Sequence, residues 1–437
     1  MEKLVSLCKR RGFIFPGSEL YGGLAGTYDY GPMGVLLKEN IEQLWLEHFR
    51  NGRDDMYGVD AAILMNPKVW EASGHVSGFA DPLVICETCG RRFRADQLED
   101  PTACPECRGK LSEPKLFNMM FATKAGASED DSATVYLRPE TAGGIFANYK
   151  NVVDAIHPKL PFGIAQIGKA FRNEIAPRDF IFRLRELSQM EVEYFVKPSA
   201  WEAAFEMWRE TMHAYAAALG LPQESVHELE VRADELAHYS KRTIDFEFDY
   251  PFGRRELWGL AYRTDFDLSA HQTGSGVALE YLDEETNEKF IPHVIEPSLG
   301  VDRTVLAVLA SAYREDELGG ETRTYLVLSP KLAPVKAMVS PLLKNKSELV
   351  AKAREARAAL RAALPGTQIA WDDNGNIGKR YRRQDEIGTP FCVTIDFDTL
   401  GEKPEFKDTV TLRHRDTGEQ ERLTVAEAAE RIRAALT

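Results

Sequence analysis

Apolar residues repeat with two different periods along the chain, and each change of period marks an element. Val35, Leu37, Ile41, Leu44, Trp45 and Phe49 recur at helical spacing, which predicts a helix over residues 35–49 with one apolar face. Residues 201–219 and 298–313 carry the same signature, the second with Val305, Leu306, Val308 and Leu309 packed inward. Residues 162–167 and 190–196 alternate or run apolar, as do 256–262 and 292–296, which predicts strands. The glycine- and tyrosine-rich stretch 12–34 predicts loop and short strand, and the polar stretch 315–323 predicts a linker. Past it, short strands (325–328, 368–371, 391–395, 409–412) alternate with helices (347–364, 425–436). That alternation is the pattern of a compact α/β domain whose sheet is covered by helices.

With 437 residues the chain is long enough for two or three domains. It has no run of about 18 apolar residues and no hydrophobic leader after Met1-Glu2-Lys3-Leu4, so a soluble, cytoplasmic protein without a membrane partner is expected. A net charge of −14 weighs against nucleic acid as a global sum, but a local basic path is enough to bind RNA. Arg91-Arg92-Phe93-Arg94 and Gly378-Lys379-Arg380-Tyr381-Arg382-Arg383 are two such clusters; solvated surface is the plainer reading of each.

Four of the six cysteines form Cys86-x-x-Cys89 and Cys104-x-x-Cys107, fourteen residues apart. Without a secretory signal such knuckles predict metal ligation rather than disulfides. Four thiolates suit tetrahedral zinc and leave no open position, so the expected Zn2+ is structural. Cys8 and Cys392 stand alone and read as ordinary thiols.

Two further segments set an arginine beside a carboxylate at the edge of an apolar run: Phe171-Arg172-Asn173-Glu174, and Glu296-Pro297-Ser298-Leu299-Gly300-Val301-Asp302-Arg303. Activating a carboxylate with ATP needs that pairing, fixed cations for phosphates and an anion for a substrate ammonium. In this order they resemble motifs 2 and 3 of the class II aminoacyl-tRNA synthetases. Glu296-Pro297-Ser298, Tyr30-Gly31-Pro32 and Ser73-Gly74-His75 narrow the likeness to glycyl-tRNA synthetases of the homodimeric type, over nearly the whole chain.

The resemblance implies an α+β fold: a class II antiparallel sheet with helices over residues 1–320, a zinc-binding insertion at 82–115, and a C-terminal α/β anticodon-binding domain at 324–437. Ile377-Gly378-Lys379-Arg380 and Ile387-Gly388-Thr389-Pro390-Phe391 carry the likeness of that last domain, which glycyl-, histidyl-, prolyl- and threonyl-tRNA synthetases share. The helix at 35–49 would be the motif 1 helix of a homodimer interface, with Pro67 as the proline of that motif.

The implied activity is ATP-dependent attachment of glycine to tRNA(Gly) through glycyl-adenylate. Arg172 would grip the α-phosphate, Arg303 the γ-phosphate, and Glu174 the adenine amino group. Asn173 and the strand Phe182-Arg183-Leu184-Arg185-Glu186-Leu187 would complete the nucleotide bed, with Glu256, Leu257 and Gly300. Glu256 would ligate the Mg2+ that accompanies ATP. Glycine would be held by Glu140, Glu191, Glu296 and Ser298, beside Leu187 and Gly300, with Arg94 as a further substrate contact. One position departs from the family: Arg138-Pro139-Glu140-Thr141-Ala142 is followed by Gly143 where glutamine is usual. A sister synthetase for proline, threonine or histidine is opposed by Glu296-Pro297-Ser298 and Tyr28-Asp29-Tyr30-Gly31-Pro32. A non-catalytic, synthetase-like subunit that only binds nucleic acid should lack Arg172 and Arg303.

Overall fold

A seven-stranded sheet organises the N-terminal body of the computed structural model, which describes residues 1–127, 133–318 and 320–436. Gly319 of the expected linker and Thr437 of the tail lie outside the described residues. In chain order the strands are β1 (Met56–Gly58), β2 (Phe162–Phe171), β3 (Glu186–Val196), β4 (Val226–Glu230), β5 (Arg242–Tyr250), β6 (Gly253–Thr264) and β7 (His293–Gly300). They lie in the order β4-β5-β6-β7-β3-β2-β1. Every neighbouring pair is antiparallel except β1 with β2.

Because successive strand residues point to opposite faces, β3 serves two environments at once. Met190, Val192, Tyr194 and Val196 enter the large core with α1 (Pro32–Leu46), whose first residue is the proline that suits a helix start. Phe195, on the other face, packs with Ile145, Phe146 and Tyr149 of α2 (Ala142–Ile156). Glu191 and Glu193 share the Phe195 face by alternation. In β7, Ile295 and Leu299 join the large core while Val294 joins α2, which puts Glu296 and Ser298 on the α2 side as well. The sheet therefore brings carboxylates from two neighbouring strands to one face.

The large core also takes α3 (Trp201–Ala218) and α4 (Val301–Ala312), with Val305, Leu306, Val308 and Leu309 inward as expected. The helix expected over 298–313 starts only at Val301. Ser298 and Gly300 instead extend β7 and pair with Glu191 and Gln189 of β3. The expected linker is an antiparallel hairpin, β8 (Tyr313–Leu318) with β9 (Glu321–Leu326), so the strand read at 325–328 stops at Leu326. Its polar alternation is that of an exposed ribbon, with Arg323 as its one buried charge.

Beyond the hairpin, Leu328, Leu332, Ala333 and Val335 still pack in the large core of the N-terminal body. The tail has a core of its own around a five-stranded sheet: β10 (Ala337–Pro341), β11 (Ile369–Trp371), β12 (Phe391–Ile395), β13 (Thr409–His414) and β14 (Gln420–Thr424). The order is β11-β10-β12-β13-β14, with the first three strands parallel. β10 escaped the sequence reading because its short apolar run is flanked by Pro334 and ends in Pro341. The basic run 378–383 is not a free RNA-facing surface. Arg380 is buried and donates to Ser340 Oγ (2.7 Å), Asp373 O (3.1 Å) and Gly375 O (2.7 Å), and Arg383 pairs with Asp372 (2.8 Å).

Candidate active site

Strands β2 and β3 form a long antiparallel pair that ends at Phe171 and Glu186, and the connection between them makes the wall of a cleft. Only Glu186 and Leu187 of the expected strand 182–187 are strand; Phe182 to Arg185 belong to this connection. The cleft opens to solvent and is lined by Arg172, Glu174, Phe182, Arg183, Leu184, Leu187, Glu256, Leu257, Ser298, Gly300 and Arg303, among others.

Of the three arginines that line this space, Arg172 and Arg303 reach it from separate elements. Arg172 lies over the Phe79 ring at 5.6 Å and donates through Nε to Pro139 O (3.0 Å). Arg303, in the first turn of α4, stacks over Phe182 at 4.5 Å and pairs with Glu256 at 3.0 Å. The Arg303 guanidinium holds the Glu256 carboxyl below its ordinary range. Glu174 is buried with no hydrogen-bond partner on Oε2, and Arg183 Nη1, also unpartnered, stands 3.7 Å away. A buried carboxylate edge of this kind needs a donor. Neighbouring Asp302 locks the frame: Oδ1 accepts from Tyr30 OH (2.6 Å) and Oδ2 from Ser188 N (2.8 Å).

Other expected residues hold the wall rather than face the cleft. Arg185 donates to Ala25 O (2.9 Å) and Glu174 O (3.1 Å), and Asn173 N donates to Met119 O (2.8 Å). Glu186 lies outside the lining, paired with Lys169 at 3.1 Å. Arg94, on the strand Arg92–Arg94, pairs with Asp81 (2.6 Å) and Asp96 (2.7 Å).

Behind Ser298 lies a buried cluster of acids. Glu191 accepts five hydrogen bonds: Thr141 N (2.9 Å), Thr141 Oγ1, Ala142 N (2.9 Å), Gln189 Nε2 (2.9 Å) and Ser298 Oγ (2.7 Å). A carboxylate offers about four lone-pair sites, so Glu191 has none left for a substrate, and the expectation of direct contact does not fit this geometry. It anchors the start of α2 and aims Ser298.

Glu296 is less occupied, accepting from Arg263 Nη1 at 2.8 Å. Burial pushes its carboxyl up to about 8 against the pull of Arg263, with Glu191 and Glu140 adding to the rise. Glu140 is held low. Burial alone would raise it, but the His75 ring at 3.4 Å and the charges of Arg263 and Arg172 overcome that. His75 is oriented by Ser73 Oγ on Nδ1 (2.8 Å), which gives Ser73-Gly74-His75 a physical role.

Sequence reasoning missed three members of this cluster. Arg263 is clamped by both oxygens of Asp267 (2.7 and 2.8 Å) and lies over the Tyr239 ring at 3.8 Å. Their four-residue spacing was the available signal. Glu193 is 0% exposed, neither of its oxygens has a partner, and burial next to Glu296 pushes its carboxyl far up. The available signal was its place two residues after Glu191, on the same strand face.

Gly143 is closed to a side chain, because a Cβ there would lie 2.7 Å from the buried Trp70 ring. Gln166 does not stand in for the family's glutamine: with its amide turned to satisfy both neighbours, it accepts from Arg138 Nη1 (3.1 Å) and Ala61 N (3.2 Å).

The four knuckle cysteines converge, with every sulfur within 4.8 Å of the others. Cys86 and Cys107 sulfurs are 3.5 Å apart, and those of Cys89 and Cys104 3.8 Å. Four sulfurs at tetrahedral corners about 2.3 Å from one ion lie about 3.8 Å apart, so the set fits such a metal. Cys8 and Cys392 are buried elsewhere, and burial pushes both thiols up to about 12, as inert thiols require.

The same division of the chain emerges from comparison with known proteins. The family described as tRNA synthetase class II core domain (G, H, P, S and T) matches residues 121–312, and the anticodon binding domain matches 336–435. A glycine–tRNA ligase from Alkaliphilus oremlandii is 48% identical over 456 residues, covering 98% of this chain and 96% of that one. Glycine–tRNA ligases from Thermobifida fusca (48%; 97% and 96% covered) and Bacillus anthracis (47%; 98% and 97% covered) agree. With the two cleft-lining arginines, the acid cluster and the tail each in place along that full length, the chain belongs to the glycine–tRNA ligase family of class II aminoacyl-tRNA synthetases.

Proposed function

We propose that this chain attaches glycine to tRNA(Gly) with ATP, through a glycyl-adenylate. The observation that carries the reading is the cleft itself, which Arg172 and Arg303 line together with Ser298, whose Oγ donates to Glu191 of the buried acid cluster behind it. Carboxylate attack on the α-phosphorus brings anion to anion, so the protein's work is to neutralise charge and align the groups. In this reading Arg172 takes the α-phosphate and Arg303 the γ-phosphate. The open edge of Glu174 receives the adenine amino group. Glycine's ammonium meets Glu296 and Glu140, while Glu191 holds Ser298 and the start of α2 in place. Mg2+ bound with the ATP would draw on Glu256 and screen phosphate charge during the attack. Zn2+ at Cys86, Cys89, Cys104 and Cys107 would hold the insertion 82–115 together, and with it the strand that carries Arg94.

The tail, from about residue 324 onward, reads the anticodon. The chain works as a homodimer through α1 and the Pro67 segment, in the cytoplasm, where the four thiols stay reduced for the metal. The sister-synthetase and non-catalytic readings lose ground because Arg172 and Arg303 both face the cleft and the relatives are glycine–tRNA ligases. The test is transfer of labelled glycine to tRNA with ATP. Charging of tRNA(Gly) is expected; charging with another amino acid, or none at all, would remove the reading.

A further inference from the structure

The most exposed apolar side chains of the described residues include three within a single loop. Leu20 is 96% exposed, Tyr21 92% and Leu24 60%. The loop is not slack. Tyr21 N and Gly23 N both donate to Ser18 O (2.9 and 3.1 Å), Leu24 N donates to Gly17 O (3.3 Å), and Gly17 N donates to Thr27 O (3.0 Å). Thr27 closes the loop again, its N and Oγ1 both reaching Leu24 O (3.1 and 2.8 Å). Gly22 and Gly23 take positive φ values of 89° and 77°, which turn the chain so that Leu20, Tyr21 and Leu24 stand in solvent. A closed loop that holds apolar groups in water, when collapse would bury them, is built for an occupant.

The base of this loop is fastened to the wall of the cleft. Arg185 donates through N to Gly26 O (2.8 Å) and through Nη1 to Ala25 O (2.9 Å). Gly26 lies so close to Pro177 that a Cβ would come within 2.7 Å of its ring. Next to Pro177, Arg178 has a half-exposed side chain bonded to Gln97 (3.0 Å), with Asp179 3.5 Å from its Nε. The loop thus stands on the segment that joins β2 to β3 and carries Arg172, Glu174, Arg183 and the half-exposed Arg178.

We propose that Tyr21, flanked by Leu20 and Leu24, is a stacking platform for an unpaired base at the 3′ end of the tRNA, with Arg178 beside its phosphate. This rests on the function proposed above, since transfer from an adenylate requires the RNA terminus to enter the same cleft. An unpaired RNA end offers unstacked bases and a charged backbone, and proteins meet these with exposed aromatic rings and arginines. Tyr21 is a positioning residue and takes no part in adenylate formation.

The test compares full-length wild type, Tyr21→Ala and Tyr21→Phe in two assays. Glycine-dependent pyrophosphate exchange needs no RNA and should stay within twofold in all three; its absence from wild type would count against the function, not the platform. In tRNA charging, Tyr21→Ala should lower kcat/KM for tRNA about 5- to 150-fold, the size of one lost base–aromatic stack, while Tyr21→Phe retains wild-type charging. A second measurement does not depend on activity: binding of an RNA stem with and without its unpaired 3′ nucleotides. Wild type should prefer the tailed stem and Tyr21→Ala should not. Charging within twofold of wild type in Tyr21→Ala, an undiminished preference for the tailed stem, or conversion of a dimer to monomers by Tyr21→Ala would each overturn the proposal, the last by assigning the loop to a second copy.

Discussion

Arg263 and Asp385 are both fully buried ions, and their surroundings differ in the sign of the excess charge. Around Arg263 stand Asp267, Glu296, Glu193, Glu191 and Glu140, so acids outnumber the cation, and Glu193 is left without a partner. Around Asp385 the excess is positive. Arg413 pairs with both its oxygens (2.8 and 2.9 Å) and Arg323 reaches it at 3.4 Å. That surplus ends on neighbouring acceptors: Arg323 also meets Asp316 (2.6 Å) and Arg415 O (2.6 Å), and Arg415 meets Leu328 O (2.9 Å) and Gly388 O (2.7 Å). The tail cluster is closed and clamps the β8–β9 hairpin to the tail sheet. The acid cluster has more acids than its one cation, Arg263, can pair and adjoins the cleft through Ser298, which suits a substrate that brings an ammonium of its own. Buried charge alone does not mark a site; buried charge short of partners beside an open cleft does.

Breaking the closed cluster should have the largest effect, and it should fall on stability. Asp385→Ala leaves Arg413 and part of Arg323 buried without their anion, with an expected loss of about 3–5 kcal/mol in denaturant unfolding. A loss below about 1 kcal/mol would show that the clamp is not closed by Asp385. On the other side of the comparison, Arg172→Ala should leave the unfolding midpoint nearly unchanged and lower glycine-dependent exchange by roughly 10²–10³-fold, the scale of removing one preorganised donor. Exchange within threefold of wild type would take Arg172 out of the phosphate site.

Smaller effects come from within the acid cluster. Glu296→Gln keeps shape but loses a charge-assisted bond to an ammonium, worth about 1.5–3 kcal/mol, or roughly 10- to 150-fold in kcat/KM for glycine. The KM for ATP should hold, and alanine should still be refused. Poor ATP use with normal glycine use would misplace the pocket.

The least disruptive change is Glu193→Gln. A buried carboxyl raised far above its unfolded value of about 4.3 binds more protons folded than unfolded, so it takes stability away as pH rises above that value. The glutamine variant escapes this loss. Its stability relative to wild type should grow from pH 5 to pH 8, with exchange little changed. A difference that is flat or reversed with pH would mean that Glu193 is ionised in the folded protein.

Elements whose signal is carried by one segment were legible in the sequence. The helix α1 showed itself through its own apolar spacing, although it starts at Pro32 and ends at Leu46 rather than spanning 35–49, and the cysteine knuckles showed themselves through theirs. Arg172 and Arg303 were readable from local words, because each sits where a strand or helix meets the cleft. Glu191 was not, because what uses up its oxygens comes largely from Thr141 and Ala142, fifty residues away in the chain. The β8–β9 hairpin read as a linker because its paired residues Arg314 to Glu317 and Thr322 to Thr324 are all polar, and strand patterning is visible only where one face is apolar. Glu193 carries no local mark of its isolation. Only the register that opposes β3 and β7 sets it against Glu296.

The most direct measurement is ATP–pyrophosphate exchange by the purified full-length protein, run with each amino acid in turn and without tRNA. Exchange that depends on glycine and is absent with alanine, serine, proline, threonine and histidine is the expected result. Exchange supported by one of those other amino acids, or by none, would contradict the assignment of the cleft and its acid cluster to glycine activation.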